Sequence, residues 1–114
     1  MNGLYYILDK ENNVIEAEDF DKWSKYFEST CKNDGRRVSK DEVNGSLIST
    51  VFLGISHSYC DTSEPLIFET MVFEPGITED RYLARYCTWN EALKGHAEAI
   101  EWVLNGCKED EINY

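Results

Sequence analysis

The sequence has no apolar run approaching the roughly 18 to 20 residues of a membrane-spanning helix, and its opening MNGLYYILDK is too short to contain a secretory h-region. Neither a bilayer helix nor an exported precursor is expected. Positive charge is scarce: eleven Lys and Arg stand against twenty-two Asp and Glu, a formal net charge of −11. Such a chain repels nucleic-acid phosphate and anionic lipid, so neither is an expected direct partner. The four cysteines, Cys31, Cys60, Cys87 and Cys107, include no CxxC pair. Free thiols in a reducing cytoplasm are therefore expected, and no metal or other cofactor is assigned. With two prolines, no low-complexity linker and no internal repeat, the 114 residues are read as one domain, 1–114.

What is present is a globular composition, 42% hydrophobic, with five Phe, three Trp and seven Tyr to fill a small core. Two short apolar stretches flank DKENN, whose Asp and Asn suit a turn, so residues 4–16 predict a hairpin or one strand with a short return. Asp19 then stands as N-cap before Phe20, Trp23, Phe27 and Cys31, which recur at spacings of three and four and predict a helix over 20–31. Asn44-Gly45 lies between two strand-like runs and predicts a type I′ hairpin that pairs Val43 with Ser46 and Val38 with Val51. The charged run 36–43 reads as an edge strand and the apolar run 46–54 as a central one.

LIFETMVF at 66–73 is largely apolar at both odd and even positions, the pattern of a strand buried on both faces. RYLARYCT reads as a shorter strand. Thr88 and Glu91 form a capping box at the start of a second helix that closes near Gly106. At 100° per residue, Leu93, His96, Ala97, Ile100, Val103, Leu104 and Cys107 form its apolar stripe, which is predicted to face the sheet. These elements predict an α+β fold: an antiparallel sheet of four to five strands with two helices packed on it.

His57 ends the strand in GISHSYCD and precedes Cys60 by three residues. A zinc site completed by Cys87 and His96 would use suitable donors, but it lacks the paired ligands such sites bring. A nucleophile–base pair of Cys60 and His57, with Asp61 orienting the ring, lacks a Gly-rich elbow or oxyanion donors nearby. The plainer reading is a loop histidine. His96, inside the apolar stripe, reads as a buried histidine bonded to a carbonyl or hydroxyl. Trp102 is predicted on the outer face of the second helix beside Gly95 and Ala99, a candidate interaction patch through which the chain could dimerise. The alternative is that a chain terminus covers it. Acidic clusters at 16–21 and 108–111 admit a DNA-mimic reading, although carboxylates also collect at helix N-termini without further purpose.

Three blocks, RRVSKDEVNGSLISTVFLGISH, LIFETMVF and RYCTWNEALKGH, together resemble a family of small uncharacterised proteins encoded by bacteriophages and mobile elements. In that family an STVFLG strand, an FETMVF strand and a TWxEA…GH helix start recur in this order. The resemblance covers roughly residues 36 to 96 and implies an accessory protein that binds a host or defence protein; it implies no activity, substrate or catalytic residue. The matching positions are Ser49, Thr50, His57, Phe68, Glu69, Thr70, Arg85, Tyr86, Thr88, Trp89 and His96. Among them Glu69 stands in an otherwise apolar strand and needs a partner, for which Arg85 is the nearest candidate. His57, Glu69, Arg85 and His96, with Thr50 beside them, form a candidate polar cluster: a structural network, or the floor of a small-ligand or enzymatic pocket.

Overall fold

The computed structural model describes residues 5–56, 64–79 and 81–107. Their order is β1 (Tyr6–Leu8), β2 (Val14–Glu16), α1 (Phe20–Cys31), β3 (Arg37–Val43), β4 (Ser46–Phe52), β5 (Phe68–Phe73), β6 (Leu83–Tyr86) and α2 (Trp89–Leu104). The fold is α+β, with a four-stranded antiparallel meander in the order β3-β4-β5-β6 and a separate β1-β2 hairpin. Helix α2 lies across the meander, in contact with all four strands. Helix α1 packs on β1 and, through Tyr26, against Phe52 at the end of β4, so the two helices cover the sheet unequally.

The local signals act as the sequence implies. Asp19 accepts from the Lys22 amide at 2.8 Å and starts α1, and Thr88 and Glu91 close a reciprocal capping box at α2. Asn44 and Gly45 both have positive φ, 51° and 82°, as a type I′ turn requires. Val43 pairs with Ser46, but Arg37, not Val38, pairs with Val51, because a β-bulge interrupts the register between Arg37 and Ser39. The extra residue turns Val38 toward the apolar core and leaves Arg37 beside Ser49.

Gly54 ends the outgoing strand at φ 75°. A Cβ there would lie 2.3 Å from the Phe27 ring. The bare backbone instead accepts a hydrogen bond from Trp23 Nε1 at 3.0 Å and another from the Tyr6 amide at 2.7 Å. The glycine thus joins α1 and the N-terminal hairpin to the end of β4.

Between α2 and the sheet the core is layered. Phe52 and Phe68 pair across β4 and β5, and with Tyr6, Ile67 and Ala92 they form one apolar cluster. Ile48 and Val72 pair two rungs away and form a second with Ala99 and Val103. Full burial of each phenylalanine stabilises the fold by about 2 to 3 kcal/mol. The rung between the clusters is polar: Thr50 opposite Thr70, both without exposed surface, under His96.

Candidate functional site

This polar rung is the most organised group of side chains in the described structure. His96 Nε2 lies 2.7 Å from Asp41 Oδ2, His96 Nδ1 lies 2.7 Å from Thr50 Oγ1, and Thr50 Oγ1 lies 2.5 Å from Thr70 Oγ1. A carboxylate only accepts, so Nε2 donates to Asp41; where Nδ1 carries no proton it accepts from Thr50, which in turn accepts from Thr70. One proton order satisfies every member. The Tyr86 hydroxyl lies near Thr70 without reaching hydrogen-bonding geometry, and burial pushes its pKa up.

An Asp–His–Thr series has the order of a nucleophilic triad, but its chemistry is closed off. Thr50 has no exposed surface and His96 almost none, so no substrate carbonyl reaches Thr50 Oγ1. Only Asp41, with about half of its side chain in solvent, opens to the outside. The arrangement binds edge strand β3 to the middle of α2 and specifies how helix and sheet meet.

The candidate polar cluster divides across the sheet. Glu69 and Arg85 are cross-strand neighbours joined by an ion pair at 3.0 Å between Oε2 and Nε. They project from the face opposite α2, whereas His96 and Thr50 lie beneath α2. Alternation along a strand is the cause: Thr70 points into the core, so Glu69 points away from it. Glu69, Arg85 and His96 therefore share no cavity. His57, with Cys60 and Asp61, lies outside the described residues. No three His, Cys, Asp or Glu side chains converge as metal ligands among the described residues.

The candidate interaction patch is corrected by the observed phase of α2. Ala92, Gly95, His96, Ala99 and Val103 are its buried residues, while Leu93 and Leu104 are exposed. Gly95 and Ala99 hence face the sheet, and Trp102 packs at the margin with its ring centroid 5.0 Å from Tyr82 and the Arg81 guanidinium over it. Shape overrides the apolar moment here. A Cβ on Gly95 would sit 2.1 Å from the Tyr86 ring, so this narrow, small-residue side is the one that lets helix and sheet approach.

The sheet's other face is the surface that sequence reasoning missed. Leu47 pairs with Phe73 and Met71 with Leu83, and Val51 adds a fifth apolar side chain on that side. Phe73 and Leu83 each expose 48% of their surface. No described helix or strand lies over them. The double-sided apolarity of LIFETMVF was the available signal; it implied two covers, and the described structure holds one.

Charge elsewhere is largely absorbed locally. Lys22 pairs with Glu18 and Lys25 with Asp21 around the first acidic cluster; the cluster at 108–111 lies outside the described residues. Glu74 is nearly buried and takes two hydrogen bonds from Arg81, one of 2.9 Å, which hold its carboxyl below the usual carboxylate range. Cys107 stands beside it, and burial pushes the thiol's pKa up. Cys31, Cys87 and Cys107 are free thiols. No described helix is long and apolar enough to cross a membrane. Compared with protein-family models, curated proteins and solved structures, the chain matches none of them.

Proposed function

We propose that the protein is a non-enzymatic binding module whose macromolecular partner lies on the open face of the four-stranded sheet. One observation carries this reading: β4 and β5 are largely apolar on both sides, yet α2 covers only one, leaving Phe73 and Leu83 half-exposed around Leu47, Val51 and Met71. The Glu69–Arg85 pair and Arg37 border this surface and supply a polar rim. Its mixed charge suits a protein partner better than a nucleic acid. The resemblance of three sequence blocks to phage and mobile-element proteins supports a host or defence protein in that role, met in the host cytoplasm.

The test is a pull-down from host lysate with wild-type protein and a Phe73→Asp/Leu83→Asp variant as baits. Both side chains are half-exposed, so the variant is expected to keep the wild-type circular dichroism and most of its melting temperature. It is expected to lose a stoichiometric partner that wild type retains. Retention of that same partner by the folded variant overturns the reading.

A further inference from the structure

We infer that a second copy of the chain packs antiparallel against the outer flank of α2. Leu93, Ala97, Ile100 and Leu104 recur at spacings of four, three and four, the pattern of a helix–helix seam. At 100° per residue they fall within an arc of about 60°. This arc adjoins the buried one and overlaps it only at Ile100, which is half-buried against the Ile48–Val72–Ala99–Val103 cluster: Leu93 exposes 43% of its surface and Leu104 60%, with Ala97 exposed as well. The helix therefore carries two apolar surfaces, one occupied by the sheet and one turned outward.

The charges beside the seam select both the occupant and its direction. Lys94 and Glu101 stand seven residues apart on the same edge, each one position beyond a seam residue, and neither has an ion-pair partner among the described residues. A two-fold axis near the middle of the helix sets Leu93 against Leu104 of the second copy and Ala97 against Ile100. The same operation brings Lys94 within side-chain reach of the second copy's Glu101, twice over. The sequence of α2 is thus complementary to itself when reversed, in apolar order and in charge. Antiparallel helix dipoles favour the same direction. Exposed ion pairs of this kind set orientation more than strength.

The contact is modest, since 16 residues of helix are about 24 Å long, and a charge of −11 on each copy opposes it at low salt. It also leaves both open sheet faces pointing outward, so the dimer would be bivalent toward a partner. The inference stands independently of the sheet-face reading, because it concerns a different surface and is tested without any partner.

Sedimentation equilibrium at about 0.2 M salt, where the Debye length is below about 10 Å, supplies the test from about 5 µM to about 500 µM protein. The wild-type mass is expected to rise with concentration from 13.2 kDa toward twice that value. Leu104→Glu is expected to weaken association at least about tenfold. Lys94→Glu and Glu101→Lys, each confined to an exposed side chain, are expected to weaken it about threefold. The double exchange Lys94→Glu/Glu101→Lys recovers it. A chain that remains at 13.2 kDa throughout overturns the inference, as does a dimer indifferent to Leu104→Glu or one in which the double exchange is no tighter than the single variants. A monomer whose melting temperature falls with Leu104→Glu also overturns it, since the chain would then cover the stripe itself.

Discussion

His96 Nε2 lies 2.7 Å from the carboxylate of Asp41, joining the middle of the last helix to the outermost strand of the sheet across 55 positions of sequence. Asp41 neighbours Ile48 in the hairpin register, and the other side of the imidazole reaches Thr50 one rung further along. A single side chain thereby connects edge strand, central strand and helix. The two apolar clusters on either side supply the burial that drives folding; the polar rung determines how the two layers are aligned.

If the rung acts as one network, Thr50→Val is costly because it strands two buried partners. The change preserves volume, yet leaves His96 Nδ1 and the Thr70 hydroxyl unpaired, for an expected loss of about 1 to 3 kcal/mol in urea denaturation. Thr70→Val removes only the terminal donor and should cost less. The double variant should cost less than the sum of the two single variants. Additive losses would show that the hydroxyls contribute separately.

Gly95→Ala is expected to destabilise, against the trend for helices. An exposed helical glycine replaced by alanine gains up to about 1 kcal/mol. Here the new methyl would meet the Tyr86 ring at 2.1 Å and push helix and sheet apart, with an expected loss of about 1 to 3 kcal/mol. Pairing it with Tyr86→Val should recover part of that loss by clearing the ring from the methyl's path. A stabilised single variant would show that Tyr86 swings aside at no cost.

The Glu74–Arg81 pair predicts a specific acid sensitivity. Hydrogen bonding to Arg81 lowers the folded-state pKa of Glu74, so its contribution is complete above the ordinary carboxylate value of the unfolded chain. That contribution is lost as pH falls through the depressed folded-state value. Thermal melts between about pH 7 and about pH 3 should show wild-type stability declining faster than that of Glu74→Gln across the carboxylate range. The two curves should converge at the acid end. Parallel curves would mean that the pair contributes nothing dependent on ionisation.

Most of the local architecture is legible in the sequence. The capping residues Asp19, Thr88 and Glu91, the Asn44-Gly45 turn and the spacing of Phe20, Trp23 and Phe27 each act within a few positions of chain, where hydrogen-bond geometry and periodicity leave few alternatives. Both helices, the hairpin and the edge position of β3 follow from them. The Glu69–Arg85 partnership is also readable, because a charge in an apolar strand calls for a neighbour of opposite sign on the next strand.

Contacts between distant residues decided what remains. Apolar moment alone turns Leu93 and Leu104 toward the sheet; the fit of Tyr86 against Gly95 rotates α2 so that small residues face inward and the leucines outward. A bulge beside Val38 shifts the start of β3 by one position and sends Arg37 to the open face. Strand alternation separates His96 from Glu69 and Arg85, a division that fixes their chemistry and that no linear spacing reveals. Propensity and capping act along the chain and can be read from it, whereas the choice between two apolar faces of one helix depends on shape, which exists only once the layers meet.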